Sequence, residues 1–506
     1  MALVNVERDR RFFYGDFHRL TNRIANAMRN ALLLRRGDLY LNILHNDNLP
    51  LVHVPTILKG DATAIFCNIR DSLDVHAWQV AYTKPKVVLI ENELLASHLA
   101  MLRSHGVTVV CMDPLREPCE GVLYFWDLIQ NASEETPNTV LDDRDHIALI
   151  RFTGGTTGTS KPAMYTPDNL FSVRDSFFAL DDTDWSPRTR ILHVAPVSHG
   201  SGLFLIAGLM SGACNVTLNE ANLAEFCRVV ERERATCTFV VPTLLYRLLD
   251  LAEATNSDLS SLQNIFYGAA PMSPGRLKQL QGRFGNNFVQ LYAATENYCI
   301  ALQLNKAAHR AESQEQERRL GAAGRPVAGV EIAIMDSQGA PVEIGKVGEL
   351  WLRSRGTISG YYKNPEQTEL EFVDGFWKSG DMGFMDADGF VYLVDRKKDL
   401  IISGGFNIYP SEVEMVINSH EAVLVSAVVG IPHEDWGEAV HAAVVLREGM
   451  AIDEDELITF VKVRLGSYKA PKSLAIVSEL PMTPAGKVLR RTVRDQYWKD
   501  QSRNIG

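Results

Sequence analysis

Short runs of β-branched and other apolar residues alternate with segments of helical periodicity along most of this chain. The runs are KVVLI at 86–90, VTVVC at 107–111, HIALIRF at 146–152, CTFVV at 237–241 and NNFVQLY at 286–292. Most of them carry few polar residues, which is typical of strands that helices cover on both faces. The alternation therefore predicts an α/β architecture with largely buried strands.

The pattern changes twice toward the C-terminus. Between 324 and 394 the strands are punctuated by turn residues, as in VEIAIMDSQG, GELWLRSRG and DADGFVYLVD, which predicts a small antiparallel unit. After 399 come the loop SGGFNIYP, a helix from 411, the strands VLVSAVVG and HAAVVLRE, a helix from 453 and the strand LAIVSEL. About a hundred residues with a core of their own predict a separate C-terminal domain.

Composition restricts the partners and the compartment. The chain has 51 lysine plus arginine residues against 62 aspartate plus glutamate, a formal net charge of -11, so its overall charge does not attract nucleic acid. Its 7 cysteines are scattered without CxxC pairs or metal-ligand spacing, which indicates reduced thiols. The N-terminus lacks the pattern of a secretory signal, and no run approaches the ~18 apolar residues of a membrane helix. We expect a cytoplasmic protein without transmembrane segments.

The segment TGGTTGTSK at 153–161 directly follows a predicted strand. Glycines allow the backbone to approach phosphate oxygens, hydroxyls and amides donate hydrogen bonds to them, and a lysine adds a positive charge. The segment is not a GxxxxGK[ST] loop, because Ser160 replaces its second glycine and Pro162 its hydroxyl. We predict a phosphate-binding loop, with a simple turn as the alternative. Its residues are Thr153, Gly154, Gly155, Thr156, Thr157, Gly158 and Lys161.

Five further motifs follow in a fixed order: YGAAP at 267–271, LYAATE at 291–296, KSGD at 378–381, DRKKD at 395–399 and PAGK at 484–487. Together with the loop they resemble the adenylate-forming superfamily of acyl-CoA synthetases, luciferases and peptide-synthetase adenylation domains. The resemblance covers nearly the whole chain and is greatest to bacterial acyl-CoA synthetases. It implies ATP-dependent activation of a carboxylic acid as acyl-AMP, and transfer of the acyl group to a thiol.

The resemblance also implies the domain plan and the cofactors. We expect residues 1–395 to form a large N-terminal domain of two α/β lobes plus a small β unit. Residues 396–506 are expected to form a small, mobile α+β C-terminal domain that rotates about a hinge at Lys398. The implied ligands are ATP, Mg2+ and coenzyme A, although a carrier-protein thiol is an alternative acceptor. The oligomeric state stays open, with a homodimer among the options.

Family likeness gives each motif a role, and each role has a plainer alternative. Thr295 would contact the α-phosphate, and Glu296 would hold Mg2+ rather than being a solvated carboxylate. Asp381 would accept from the ribose hydroxyls instead of merely stabilising a turn. Arg396 would bind the ribose rather than form a surface ion pair. The remaining nucleotide contacts implied are Gly268, Ala269, Ala270 and Tyr292.

The expected C-terminal domain carries further predicted site residues. Lys487 is expected to be the catalytic lysine, although on composition alone a lysine in a Pro/Gly loop is a mobile surface residue. Gly405, Trp436 and Lys469 resemble residues that line the pantetheine tunnel and contact the nucleotide of coenzyme A. Structurally, Gly405 could be just a turn residue and Trp436 just a core anchor.

The acid pocket is expected to contain His199, Gly202, Tyr267, Ala293 and Ala294. Amino-acid-activating relatives carry an aspartate where this chain has His199, so an α-amino acid is disfavoured; a purely structural histidine is the alternative. Similar enzymes for longer acids have glycine at position 293 and those for acetate have tryptophan. Alanine there predicts a medium-length fatty or an aromatic acid, unless Ala293 faces the core.

Overall fold

The computed structural model describes residues 1–115, 117–139, 145–153, 160–181, 183–220, 222–251, 257–483 and 487–498. Within these ranges the strands of the first half are β1 (Leu3–Asn5), β2 (Arg10–Phe12), β3 (Leu39–Ile43), β4 (Thr63–Phe66), β5 (Val87–Ile90), β6 (Thr108–Cys111), β7 (Val122–Tyr124), β8 (Leu149–Phe152), β9 (Pro162–Tyr165), β10 (Arg190–His193), β11 (Cys214–Thr217) and β12 (Cys237–Val240). The later strands are β13 (Asn264–Gly268), β14 (Phe288–Ala294), β15 (Asn297–Leu304), β16 (Arg325–Pro326), β17 (Val330–Met335), β18 (Gly348–Ser354), β19 (Phe372–Val373), β20 (Phe376–Met385), β21 (Val391–Arg396), β22 (Ile401–Ser403), β23 (Phe406–Ile408), β24 (Val423–His433), β25 (Gly437–Leu446) and β26 (Ser473–Ile476).

The helices lie between these strands. They are α1 (Tyr14–Asn30), α2 (Val54–Ile57), α3 (Leu73–Thr83), α4 (Asn92–Ser104), α5 (Phe125–Gln130), α6 (Pro167–Phe178), α7 (Ser201–Ser211), α8 (Leu223–Glu233), α9 (Pro242–Asp250), α10 (Pro274–Phe284), α11 (Gln314–Arg319), α12 (Pro365–Glu371), α13 (Pro410–Asn418), α14 (Glu454–Leu465) and α15 (Arg490–Asp495), with a 3-10 turn at Leu49–Val52. No helix in the part of the chain that the structure describes is both long and apolar enough to cross a membrane.

Two large sheets form the N-terminal part. One has seven strands in the order β7-β6-β5-β3-β4-β8-β9, parallel except for β9, and the other has nine in the order β16-β15-β14-β13-β12-β10-β11-β1-β2. All five runs predicted as strands are strands. The predicted α/β class is confirmed, because these largely buried apolar runs need helices on both sheet faces.

The largest hydrophobic core lies between the two sheets. It combines side chains of α1, α6 and α7 with residues from strands of both sheets, such as Tyr40, Phe66 and Phe266. Separate cores cover the outer face of each sheet, one with α8, α9 and α10 and one with α3 and α4. Functional side chains at the ends of strands in either sheet can therefore meet where the sheets adjoin.

The two smaller units match the predicted change of pattern. An antiparallel sheet, β17-β18-β20-β19 with β21 beside β20, packs its core against β15 of the nine-stranded sheet. After it come β23-β22-β25-β24, with β26 parallel to β25, covered by α13 and α14. The two cores of this last sheet contain only residues after 400, which supports the expected C-terminal unit.

Candidate active site

The predicted phosphate loop leaves the seven-stranded sheet after β8 and returns at β9. Thr153 and Lys161 close its base: the Thr153 backbone N–H donates to the Lys161 carbonyl at 2.8 Å, and the Lys161 N–H donates to Thr153 Oγ1 at 3.0 Å. The Ser160 hydroxyl donates to the Thr153 carbonyl. The predicted contacts Gly154, Gly155, Thr156, Thr157 and Gly158 lie outside the described residues.

The Lys161 ammonium lies in a network of acidic groups. It donates to both carboxylate oxygens of Glu371, at 2.7 and 2.9 Å, and to the Tyr361 hydroxyl oxygen at 3.1 Å. The Tyr361 hydroxyl in turn lies 2.9 Å from Glu296 Oε1, and Glu371 also accepts from it. Sequence reasoning found Lys161 and Glu296 but missed Tyr361 and Glu371. Since 210 residues separate Lys161 from Glu371, no local pattern links them.

Glu296 lies in the turn between β14 and β15 and is 7% exposed. Burial raises the pKa of its carboxyl above the usual range, and the nearby Lys161 charge and the Tyr361 hydroxyl oppose that rise. The neighbouring Thr295 carbonyl accepts from the Tyr165 hydroxyl at 2.7 Å, which fixes the turn. A buried carboxylate at this position fits the one protein carboxylate that Mg2+ commonly takes beside substrate phosphates.

Asp381 and Arg396 face each other on adjacent strands. Asp381 lies in β20 and pairs in register with Arg396 of β21, so the alternative of an aspartate that stabilises a turn is wrong. Arg396 Nε is 2.6 Å from Asp381 Oδ1, and the Tyr292 hydroxyl donates to Asp381 Oδ2. Burial raises the pKa of Asp381, and the Arg396 charge opposes the rise. Asp381 is thereby held by two partners on a rigid sheet.

Lys487, from the C-terminal part of the chain, is partly buried within electrostatic range of this group. Burial is the main cause that lowers the pKa of its ammonium to about 8, with the Arg396 charge adding to the effect and Asp381 and Glu296 opposing it. These three charges belong to the N-terminal sheets and the small β unit. Partial burial near these charges distinguishes Lys487 from a fully exposed surface lysine.

The ends of β13 and β14 expose the backbone at the predicted nucleotide contacts. Gly268 is buried against Leu291, whose carbonyl lies 2.2 Å from where a Cβ would stand, so only glycine fits there. Ala269 has φ of 67° and is exposed. Ala293 is exposed at a bulge in β14, and Ala294 is partly buried. Ala293 does not face the core, which removes that alternative.

Two predicted pocket residues have no open space around them. Tyr267 is fully buried in the core beneath the nine-stranded sheet, and its hydroxyl bonds His309 Nε2 at 2.8 Å. Its side chain points away from any pocket, which corrects the expectation for this residue. Gly202 is packed so closely that an added Cβ would lie 2.2 Å from the Val197 carbonyl. It permits a close approach of α7 instead of lining a cavity.

His199 precedes α7, and its Nδ1 bonds the Ser198 hydroxyl at 2.9 Å. Burial, together with the positive charges of Arg151 and Lys487, lowers the pKa of its ring to about 3, so the ring is neutral at pH 7. Arg151, at the end of β8, is 7% exposed and lies 5.3 Å from the ring centre of Tyr298. Sequence reasoning missed this buried cation because its strand reads as an ordinary apolar run.

Lys398 is exposed in the turn at 397–399 that follows β21. On either side of it, Asp395 and Asp399 accept from Arg490 at 2.7 and 3.3 Å, and Arg490 also pairs with Glu414 of α13 at 2.6 Å. Arg490 lies three residues after Lys487, so one buried arginine connects the turn to the loop that carries this lysine. No local pattern in the sequence indicates this contact.

The predicted coenzyme A residues lie on the C-terminal part. Gly405 has φ of 82° in the turn between β22 and β23, and the Gly404 N–H donates to the Trp436 carbonyl at 2.9 Å. Trp436 is 40% exposed and stacks on His433, so it is not a core anchor. Lys469 is already paired with Glu412 at 2.6 Å. An exposed aromatic surface is present, but Lys469 would have to leave Glu412 to meet a ligand.

Comparison with known proteins adds an independent result. Residues 1–362 match the family model described as AMP-binding enzyme, and residues 412–487 match the AMP-binding enzyme C-terminal domain. The chain is 38% identical over 446 residues to the medium/long-chain-fatty-acid–CoA ligase FadD8 of Mycobacterium tuberculosis, covering 81% of this chain and 77% of that one. It is 32% identical to a feruloyl-CoA synthase of an Amycolatopsis species, covering 96% and 94%.

Further similar proteins include a carrier-protein ligase and two solved structures. The fatty acid–[acyl-carrier-protein] ligase ScoC of Streptomyces coeruleorubidus is 32% identical over 97% of this chain and 93% of its own. Among solved structures, ATP-bound MatB of Rhodopseudomonas palustris has a TM-score of 0.87 at 27% identity, covering 99% and 96%. The amide bond synthetase McbA of Marinactinospora thermotolerans has a TM-score of 0.86 at 29% identity, covering 98% and 96%.

Proposed function

Since the chain belongs to the AMP-binding enzyme family, with its N-terminal and C-terminal models both matched, we propose that it is an ATP-dependent acid–thiol ligase. It would convert a carboxylic acid to acyl-AMP and then to an acyl-coenzyme A, with AMP and pyrophosphate as the other products. The observation that carries the proposal is that Lys487 lies within electrostatic range of Asp381, Arg396 and Glu296. These four groups come from four separate motifs.

In the first step a carboxylate oxygen attacks the α-phosphorus of ATP in line, and pyrophosphate leaves. Lys487 places its ammonium near the oxygens on which negative charge increases. Asp381 accepts from the ribose hydroxyls and Arg396 keeps that carboxylate oriented. Thr295 donates to the α-phosphate, while Lys161 and the loop bind the departing pyrophosphate. Preorganised groups of this kind lower the barrier because they need no rearrangement during the reaction.

Glu296 would hold Mg2+ at this site. Its burial supports that role, since Mg2+ is commonly bound by one carboxylate beside substrate phosphates. When bound, the metal neutralises charge on the phosphate oxygens. Lys161, whose ammonium lies 3.8 Å from Glu296 Oε1, adds a second positive charge.

In the second step the thiol attacks the acyl carbonyl and AMP leaves. The C-terminal domain, 396–506, would rotate about Lys398, remove Lys487 and bring the surface around Gly405 and Trp436 to the acyl-AMP. The exposed position of Lys398, at the boundary between two sets of cores, supports this hinge. Lys469 would then exchange Glu412 for a phosphate of coenzyme A.

For the acid we propose a medium-length fatty or an aromatic acid. FadD8 is named for medium and long fatty acids and the feruloyl-CoA synthase for an aromatic one, which supports a pocket for such chains. His199, with a neutral ring near Lys487, would lie at the carboxylate end. Ala293, exposed at its bulge, would form part of the pocket wall with Ala294.

Transfer to a carrier-protein thiol is the second candidate. The similarity to the carrier-protein ligase ScoC over 97% of this chain favours it. A screen of pyrophosphate release over fatty, aromatic and amino acids, with and without coenzyme A, separates the two. Continuous pyrophosphate release with coenzyme A supports coenzyme A as the acceptor. Pyrophosphate release that stops after one turnover supports a carrier-protein acceptor. Absence of release with every acid would overturn the adenylation proposal.

Asp381 and Glu296 should respond differently to alanine substitution, because only one of them meets the metal. Asp381→Ala is expected to raise the KM for ATP about 10-fold or more, since hydrogen bonds to a buried carboxylate are lost. Glu296→Ala should instead raise the Mg2+ concentration needed for half-maximal activity, about 10-fold. Titrations of ATP and of Mg2+ for both variants are the measurement.

The exposed Glu343 of the same β unit provides the matched control. Glu343→Ala should leave both titrations unchanged. If Asp381→Ala and Glu296→Ala shift the metal requirement equally, the assignment of the metal to Glu296 is wrong.

Ala293 should set the size of the acid. Ala293→Gly is expected to move the preference toward acids about one or two methylenes longer, and Ala293→Trp toward acetate or propionate. Each methylene that fits contributes about 0.8 kcal/mol of burial, roughly 4-fold in affinity. Pyrophosphate release over a series of acids measures the profile, with ATP affinity as the control. An unchanged profile in both variants would exclude Ala293 from the wall.

A further inference from the structure

Lys161 forms an ion pair with Glu371 in this structure. Its ammonium lies 2.7 and 2.9 Å from the two oxygens of Glu371 and 3.1 Å from the hydroxyl oxygen of Tyr361. The Glu371 charge offsets the positive charge that Lys161 offers to a phosphate. A pyrophosphate group that binds Lys161 therefore competes with Glu371 for this ammonium.

Glu371 is held toward Lys161 by its own neighbours. Gln367 Nε2 donates to Glu371 Oε1 at 2.7 Å, and the Tyr361 hydroxyl contacts Glu371 Oε2. Glu371 is also the last residue of α12, where the helix dipole disfavours a negative charge. Glu371 therefore does not stabilise α12 through the helix dipole. Its pairing with Lys161 accounts for a carboxylate at this position.

The Tyr361 hydroxyl connects this pair to the metal-binding candidate. It has one proton and lies within hydrogen-bond distance of both Glu296 and Glu371, so it can donate fully to only one of them. Its shorter contact is the one to Glu371. Tyr361 thus helps to hold that carboxylate beside Lys161 and links the pair to Glu296.

We propose that Glu371 is a positioning residue that holds Lys161 while the phosphate site is empty and takes it back when pyrophosphate leaves. The inference rests on the proposed function, because it needs ATP as the ligand. Glu371 competes with the pyrophosphate group for one ammonium. It weakens pyrophosphate binding and so favours the release of that product.

Calorimetric binding of inorganic pyrophosphate and of ATP, each with Mg2+, tests the competition without requiring turnover. Glu371→Gln should tighten pyrophosphate binding about 5-fold, because a partly exposed ion pair contributes about 1 kcal/mol. If Glu371 only stabilised the local structure, Glu371→Gln would weaken pyrophosphate binding instead. Glu369→Gln, an exposed carboxylate on the same helix, is the matched control and should leave binding unchanged.

A second comparison establishes that Glu371 acts through Lys161. In a Lys161→Met background the Glu371→Gln change should alter pyrophosphate binding less than 2-fold. The proposal is overturned if Glu371→Gln alone leaves pyrophosphate affinity unchanged or weakens it. It is also overturned if Glu371→Gln has its full effect on pyrophosphate affinity in the Lys161→Met background. Wild-type protein that binds neither ATP nor pyrophosphate would overturn the proposed function itself, whereas ATP binding that is insensitive to Glu371 overturns only this inference.

Discussion

Replacing Lys487 by alanine is expected to slow acyl-AMP formation by ~10^2 or more, while the reaction of supplied acyl-AMP with the thiol stays nearly unchanged. The reason is that an ammonium within electrostatic range of Asp381, Arg396 and Glu296 can stabilise charge only while the C-terminal part of the chain holds it near the reacting phosphate. Removing one preorganised donor from such a site costs about 2.7–4 kcal/mol of transition-state stabilisation. Single-turnover pyrophosphate release and thiolysis of synthetic acyl-AMP measure the two steps separately.

The exposed Lys462 of α14 is the matched control, and Lys462→Ala should leave both half-reactions unchanged. Equal loss of both steps in Lys487→Ala would contradict the division of labour. It would mean that the lysine maintains the fold around Arg490 rather than acting on the phosphate.

The same ammonium gives the first step a pH dependence with a definite sign. Because burial lowers the pKa of Lys487 to about 8, the group is charged below that pH and loses its proton above it. Adenylation should therefore fall as the pH rises through about 8, whereas the thiol step should show no such loss from this group. Lys487→Arg keeps the charge at high pH and should remove the decline, even if its overall rate is lower.

The elements that the sequence predicted well are those with local signals. The five apolar runs became strands because their β-branched and aromatic residues are buried on both sides, and the small β unit followed its turn residues. Asp381 and Lys487 could be predicted as site residues because each lies in a short motif, and their roles stay predictions. In these cases the local pattern and the tertiary structure require the same residues.

What the sequence could not predict depends on contacts between distant elements. Glu371 meets Lys161 across 210 residues and Arg490 meets Asp395 across 95, and charged residues of this kind usually face solvent. The direction of a side chain was a second source of error. Tyr267 begins the motif YGAAP, but alternation along β13 places its ring in the core.

Lys398→Pro should produce the opposite defect to Lys487→Ala: acyl-AMP formation is retained, and transfer to the thiol falls by ~10^2 or more. Proline fixes φ near -65° and restricts the preceding residue, so the turn at 397–399 can no longer change its backbone angles. The present arrangement, with Lys487 among the groups of the first step and Arg490 bonded to Asp395 and Asp399, would then persist after acyl-AMP has formed. Lys398→Ala is the matched control, since it removes the side chain but leaves the backbone free, and both half-reactions should continue. Trapped acyl-AMP, measured after acid quench, should accumulate to about one per protein in Lys398→Pro alone. If thiolysis in Lys398→Pro proceeds at the wild-type rate, the chain does not turn at Lys398 between its two reactions.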